Sequence, residues 1–393
     1  MITEAEALRT ILARVAPLPS ERAELLRAVG RYAAHDVVAR LSLPPFDNSA
    51  MDGYAVVANS ATAGARLQLI GEQPAGLDRG LRVGPGEAVR IFTGAPLPAG
   101  ADAVVMQEET RVEGDAVILE TSAAVGEFVR RRGGDVAEGQ KLIEAGERLR
   151  PQNVALLAAQ GFDSVAVGGK VHAAILSTGD ELAAPGSTLA PGQIYESNSI
   201  LLRAMLEQLG VDVISSVHCA DDARAIETAL AAAASCDIVI ISGGVSVGAR
   251  DLVKPALQRL GATLDLWRVA VKPGKPFLFG RLGGSAVFGL PGNPVSAFVT
   301  LLLFVRPAVL QLMGAKEDAL GLTAVDARLT EPITNPGERP HYLRGILREG
   351  KFTPSGRQES HALFGLSRAN ALLRAEPNQK LAADAPVRAL IWE

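Results

Sequence analysis

Lys272 and Lys275 bracket Pro273 and Gly274 in the run K-P-G-K-P at 272–276. A proline-glycine turn presents both ammonium groups from a backbone that loses little entropy on binding. Two such charges repel unless an anion lies between them, so a phosphate, pyrophosphate or other oxyanion suits the pair; two solvated surface lysines are the plainer alternative. The opposing set is Asp180, Glu181, Asp221, Asp222 and Asp251. Carboxylates that face an anion site require a cation, and oxygen ligands together with substrate phosphates describe Mg2+. A helix cap or a solvated surface accounts for any one of them, and for Asp222 that is the expectation. Asp251 ends the stretch C-D-I-V-I-I-S-G-G-V-S-V-G-A-R-D at 236–251, in which Gly243 and Gly244 let the backbone approach a bound group closely. There a carboxylate is expected as a metal ligand or as a partner for a lysine that already neutralises charge.

Other chemistries lack their signatures. The chain has no G-x-S-x-G elbow, its five histidines are scattered, and G-G-V-S-V-G is neither a dinucleotide fingerprint nor a Walker A loop. His172 and His218 fall in or beside expected strands and are read as packed core residues. Cys219 and Cys236 lie outside any C-x-x-C spacing and are read as buried small hydrophobes.

The elements that must position these residues alternate. Strands are expected at 171–177, 211–218 and 237–242, with helices at 198–209, capped by Ser197 or Asn198, and 223–234 between them. A helix at 253–260, a strand through Val271, two short strands at 277–279 and 286–290, and a long helix at 295–313 follow. Such alternation describes a doubly wound α/β domain. Its post-strand turns converge on one edge: S-T-G-D-E-L at 177–182, Asp221-Asp222, the glycine-rich loop, K-P-G-K-P and P-G-N-P at 291–294.

The remainder of the 393 residues reads as further domains. Thr3 and Glu6 form a capping box before a first helix, and a second helix is expected at 20–34 on an apolar stripe of Leu25, Leu26 and Val29. Short alternating runs between 54 and 129 describe a compact β module. It contains P-F-D-N-S-A-M-D-G-Y-A-V at 45–56 and T-G-A-P-L-P-A-G-A-D at 93–102, the latter a stiff loop that punctuation alone would explain. Arg130, Arg131 and Arg132 before Gly133-Gly134-Asp135 form a basic turn suited to an anion or to solvent. The expected organisation is a discontinuous linking domain at 1–45 and 130–166, an inserted β-rich module at 46–129, the α/β domain at 167–317 and a small C-terminal β domain at 318–393. With 48% hydrophobic and 21% charged residues and a net charge of -4, the chain reads as globular, with no basic footprint for nucleic acid. No secretory signal is legible and no apolar run is read as membrane-spanning, so a cytoplasmic protein is expected.

In this order, P-F-D-N-S-A-M-D-G-Y-A-V, T-G-A-P-L-P-A-G-A-D-A-V-V, S-T-G-D-E-L, S-G-G-V-S-V-G-A-R-D, K-P-G-K-P and G-L-P-G-N-P-V-S resemble the molybdopterin molybdenumtransferase family, which is similar to the C-terminal domain of gephyrin. The resemblance implies an elongated four-domain subunit, a homodimer, and insertion of molybdenum from molybdate into adenylylated molybdopterin with Mg2+ and release of AMP. It points to Asp52, Thr93, Glu181, Asp221, Asp251, Lys272 and Lys275 as catalytic, with Glu181, Asp221 and Asp251 at the metal, and to Arg130 and Asp135 as ligand-binding. Arg268 is a further candidate. The cleft turns add Ser177, Thr178, Gly179, Gly243, Gly244, Ser246, Gly248, Pro291, Gly292 and Asn293 as cofactor contacts. Asp52 and Thr93 are expected to close the site and exclude water. The chain has Glu359 where the family usually has glycine, so no binding role is carried to Ser360. Alternatives are the pathway's adenylyltransferase, which needs the α/β domain but not the flanking modules and is also a possible partner, and a non-catalytic scaffold.

Overall fold

The computed structural model describes residues 1–244 and 252–392, which form two compact units. The first comprises residues 1–35, 145–154 and 164–393, and the second residues 36–144 and 155–163. Ser246, Gly248 and Asp251 lie outside the described residues.

A six-stranded sheet is the centre of the first unit. Its strands are β1 (His172–Thr178), β2 (Asp212–Cys219), β3 (Ile238–Ser242), β4 (Thr263–Trp267), β5 (Leu278–Leu282) and β6 (Ser285–Leu290), in the spatial order β2-β1-β3-β6-β5-β4. The first four run parallel. The last two are antiparallel additions, because the Gly283-Gly284 turn returns the chain directly along its neighbour. The strand expected through Val271 ends at Trp267, where Arg268 takes φ 91° and leaves the extended region.

Side-chain alternation divides the core between the two faces of the sheet. Ala173, Ile175, Ile240, Phe288 and Leu290 pack with Leu202, Leu206 and the long helix on one face. Ala174, Leu176, Val239, Ile241 and Val287 meet Ile226, Leu230, Ala256 and Leu257 on the other. The long helix runs Pro294–Leu312 and contains a π-helical turn at Leu301–Val305. Pro307 has no N–H to offer the preceding turn, and the wider π turn accommodates it. At 19 residues this helix is long and apolar enough to span a membrane, which corrects the reading that no run was; 83% of it is buried inside the unit, as a core helix.

Two further expectations change, and the small C-terminal β domain forms as expected. The helix at 20–34 is a strand, Glu21–Glu24, followed by one helical turn, Leu25–Ala28. The strand pairs with Ser164–Val167, and the supposed apolar stripe points outward, Leu26 being 87% exposed while Ala23 and Ala28 are buried. His172 and His218 are exposed, not core residues. They ride the sheet's termini: His172 sits 3.4 Å from Asp237, and His218 Nε2 lies 2.9 Å from the Gly179 carbonyl oxygen. The C-terminal strands close into a five-stranded barrel around Phe352, Leu343 and Leu373, and an additional helix, Leu363–Arg368, lies outside it.

The second unit holds a six-stranded sheet ordered Ala103–Met106, Gly53–Val56, Glu87–Ile91, Arg66–Gln73, Ala116–Leu119, Thr110–Glu113. Gly53, inside the M-D-G-Y run, lies so close to the neighbouring strand that a Cβ would meet the Val105 carbonyl oxygen at 2.0 Å. Backbone cannot yield as a side-chain tip can. Gly53→Ala should therefore destabilise this sheet by about 1–3 kcal/mol or more, visible as an earlier calorimetric transition; an unchanged transition would show that the strands part freely.

Candidate functional site

Because β2 and β3 flank β1 on opposite sides, the carboxyl ends of β1 and β3 form the topological switch point of the sheet. A cleft of about 920 Å3 opens there, within the first unit. Thr178, Gly179, Glu181, Asp221, Gly243, Gly244, Lys272, Lys275, Pro291, Gly292 and Asn293, all expected from the sequence, line it. Ser177 is buried within β1 instead. Arg268 is absent from the lining; its N–H donates to the Phe277 carbonyl at 2.9 Å.

The floor is made of backbone. Gly243 and Gly244 have φ 88° and 63°, and a Cβ on Gly244 would meet Val253 Cγ2 at 2.7 Å and Thr178 Oγ1 at 2.8 Å. Only glycine makes this turn over this neighbour. Thr178 Oγ1 is itself buried and has no hydrogen-bond partner among the described residues. The two floor loops are held together by Asn198, whose Nδ2 donates to Ser242 Oγ at 3.0 Å and to the Gly292 carbonyl at 2.7 Å.

The K-P-G-K turn is fastened to the C-terminal barrel. Lys272 N–H donates to the Pro340 carbonyl, Tyr342 N–H donates to the Lys272 carbonyl at 2.7 Å, and Arg339 Nη1 donates to the Val271 carbonyl at 2.8 Å. Arg339 also lines the cleft. Among the described residues, neither lysine nor Arg339 has a carboxylate within ion-pair distance. Three cations thus share one cavity with no carboxylate among the described residues in direct contact with them. His341, next in the strand, is buried, and burial first, then the charges of Lys272, Arg344 and Arg339, push its imidazole down to about 4.

On the acidic side, Glu181 and Asp221 are both exposed to the cleft, and the Asp180 carboxylate receives the Asp221 N–H at 3.0 Å. Asp222 caps the helix Ala223–Ala233 through Ala225 N–H, as expected. Among the described residues no three His, Cys, Asp or Glu side chains cluster as ion ligands.

Asp52, Thr93, Arg130 and Asp135 belong to the second unit. Asp52 accepts the Thr93 N–H at 2.8 Å and its hydroxyl at 2.9 Å, and these bonds, the backbone one first, hold its carboxyl below the usual range. Asp47, in the same motif, is lowered by the Arg132 N–H and then by Arg131. Arg130 pairs with Asn48 in a two-stranded ladder, and Asp135 N–H donates to the Leu43 carbonyl.

Sequence reasoning missed Asn198, Arg339, Gln358 and His361 and withheld a role from Ser360 because Glu359 precedes it; all six line the cleft. Ser360 Oγ accepts a hydrogen bond from Asn293 Nδ2 at 3.0 Å. The one available signal was the S-N-S start of the helix Asn198–Gln208, read only as a cap.

Family comparisons match the whole arrangement in order. Residues 2–161 match the MoeA N-terminal region (domain I and II), residues 174–311 a probable molybdopterin binding domain, and residues 326–392 the MoeA C-terminal region (domain IV). Molybdopterin molybdenumtransferase 2 of Mycobacterium tuberculosis is 38% identical over 383 residues, covering 94% of each chain. The chain belongs to the molybdopterin molybdenumtransferase family. Another member, from Nostoc sp., is 39% identical and covers 90% of this chain and 84% of its own. The crystal structure of a molybdopterin biosynthesis MoeA protein from Pyrococcus horikoshii OT3 superposes with a TM-score of 0.86 at 31% identity, covering both chains completely. The walls of the cleft are drawn from the second and third matched regions.

Two outcomes follow from these contacts. Asn198→Ala leaves the Gly292 carbonyl and the Ser242 hydroxyl without their donor and should cost about 1–3 kcal/mol in chemical denaturation; Asn198→Asp, which sets a carboxylate against that carbonyl, should cost at least as much. His341 binds its proton more weakly folded than unfolded, so its contribution to stability is complete above pH 6.5 and is lost as pH falls from 6.5 towards 4. Melting temperatures across that window should fall by the equivalent of up to about 3 kcal/mol, and His341→Gln should flatten that part of the profile.

Proposed function

We propose that this enzyme inserts molybdenum from molybdate into adenylylated molybdopterin and releases AMP. The observation that carries the reading is the cleft at the switch point, where Lys272, Lys275 and Arg339 concentrate positive charge opposite Glu181 and Asp221. The ligand such a cleft suits is polyanionic and brings its own cation.

The residues fit Mg2+. Glu181 and Asp221 supply hard oxygen donors, Asp251 is proposed with them, and the orphaned Thr178 hydroxyl adds another oxygen in the same floor. So few protein oxygens suit an ion that retains water and binds phosphate. When bound, the ion would neutralise phosphoanhydride oxygens. The protein's own part is otherwise electrostatic: the two lysines and Arg339 stabilise charge that grows on the leaving phosphate and on the entering oxyanion. The backbone of Gly243, Gly244 and the Pro291, Gly292, Asn293 turn, with Ser246 and Gly248, holds the pterin phosphate. Hydrolysis then divides the phosphoanhydride into AMP and the pterin's own phosphate, leaving the dithiolene sulfurs to take the metal. Asp52, Thr93, Arg130 and Asp135 are proposed contributors from the second unit. The reading also includes a homodimer in the cytoplasm that receives its substrate from the pathway's adenylyltransferase.

The test supplies adenylylated molybdopterin, Mg2+ and molybdate and follows AMP together with pterin-bound molybdenum. Molybdate-dependent AMP release that falls by about 100-fold or more in Lys272→Ala, and whose Mg2+ requirement rises in Glu181→Gln, is the expected result. Tight pterin binding with no AMP release from the intact protein would replace the transferase by a carrier.

A further inference from the structure

The cleft contains one charged side chain whose place the reaction does not explain. Glu359 lines the same cavity as Lys272, Lys275 and Arg339, and it does so from an irregular segment that cannot swing aside. The segment is clamped by Arg344, a fully buried residue of the barrel strand His341–Arg348. The Arg344 guanidinium donates to the carbonyls of Glu359 at 3.3 Å, Ala362 at 3.1 Å and Arg357. Gln358 adds two bonds, accepting the Arg344 N–H at 2.9 Å and donating to its carbonyl at 3.0 Å.

The main chain of Glu359 is therefore fixed while its side chain is exposed; no cation among the described residues lies within ion-pair distance of it, and the buried Arg344 guanidinium feels its charge from further off. Glu196, another carboxylate of the cleft, is already committed to the Ser199 N–H and hydroxyl. Glu181 and Asp221 come from the loops that follow β1 and β2.

Resting on the oxyanion reading above, we infer that Glu359 is a specificity-determining residue: a tethered carboxylate that competes with the incoming oxyanion for the cations of the cleft. A charge held at the site is present at high effective concentration, and each cation it partly neutralises attracts a free anion less. The competition is electrostatic, so it penalises a dianion such as molybdate more than a monoanion of similar size, and it fades as salt screens the cleft.

The test is calorimetric titration of the full-length protein with molybdate alone, then with perchlorate, at low and high salt. The proteins compared are the unaltered chain, Glu359→Gln and Lys275→Ala. Glu359→Gln is isosteric and solvent-facing, its melting temperature reports any loss from removing charge near Arg344, and the expected change in binding is a gain. Molybdate should bind it roughly three- to fivefold more tightly at low salt, with a smaller gain for perchlorate and a smaller gain at high salt, while Lys275→Ala binds molybdate more weakly than the unaltered chain. Unchanged affinity in Glu359→Gln alongside weakened binding in Lys275→Ala would overturn the competitor and leave the oxyanion cleft standing. Failure of all three proteins to bind molybdate, or binding indifferent to Lys275, would overturn both. An equal gain for molybdate and perchlorate would overturn the electrostatic competitor in favour of relieved crowding.

Discussion

One carboxamide joins the two halves of the cleft floor. Asn198 donates from the start of its helix to the end of β3 and to the turn after β6, two places that the sequence separates by fifty residues. Both acceptors are buried or partly buried, so neither can turn to water when the amide is lost. Around this contact the geometry of the sheet is over-determined: β3 and β6 are neighbours in parallel register, and their side chains enter two different cores. The glycines can therefore hold an open, left-handed turn over Thr178, because the strands that deliver them do not move.

The upper part of the cleft depends on a different device. Its cations come from a turn and a strand end that hydrogen-bond to each other through backbone groups, and no carboxylate among the described residues is spent on them. Buried charge is costly when unpaired. The chain reduces that cost by leaving Lys275 exposed and Lys272 and Arg339 half-exposed, and by keeping the buried neighbour His341 neutral. Arg344, the one fully buried arginine of this wall, gives its terminal nitrogens to backbone carbonyls, while its Nε has no partner among the described residues and the Glu359 carboxylate lends it charge.

How much of this the sequence revealed depended on whether a signal was local. The β1, β3 and β6 strands, the glycine turn and K-P-G-K-P are local patterns, and the loops expected on one sheet edge do meet in the cleft. The capping box at Thr3 and Glu6 likewise formed. The helix expected at 20–34 failed because Leu25, Leu26 and Val29 gave a helical stripe with no surface to bury it, whereas the partner strand Ser164–Val167 lies some 140 residues away. Arg339 was illegible for the same reason, since barrel closure and not spacing brings it to the sheet. The exposed histidines were misread because His172 opens its strand and His218 lies on the edge strand, which is partly or fully exposed along most of its length.

The π-helical turn in the long core helix has a mechanical meaning. It inserts one additional residue into the ladder between the P-G-N-P turn and the half of the helix that packs on the N-terminal segment. Each residue of an α-helix turns the axis by about 100°, so the insertion sets the two halves at different azimuths. The first half can face the cleft floor and the second the helix Glu4–Leu12, with neither forced to compromise. A helix of uniform pitch would have to choose between them, and losing a single residue at 301–305 would swing the Asn293 end away from Ser360 like a key turned in its lock.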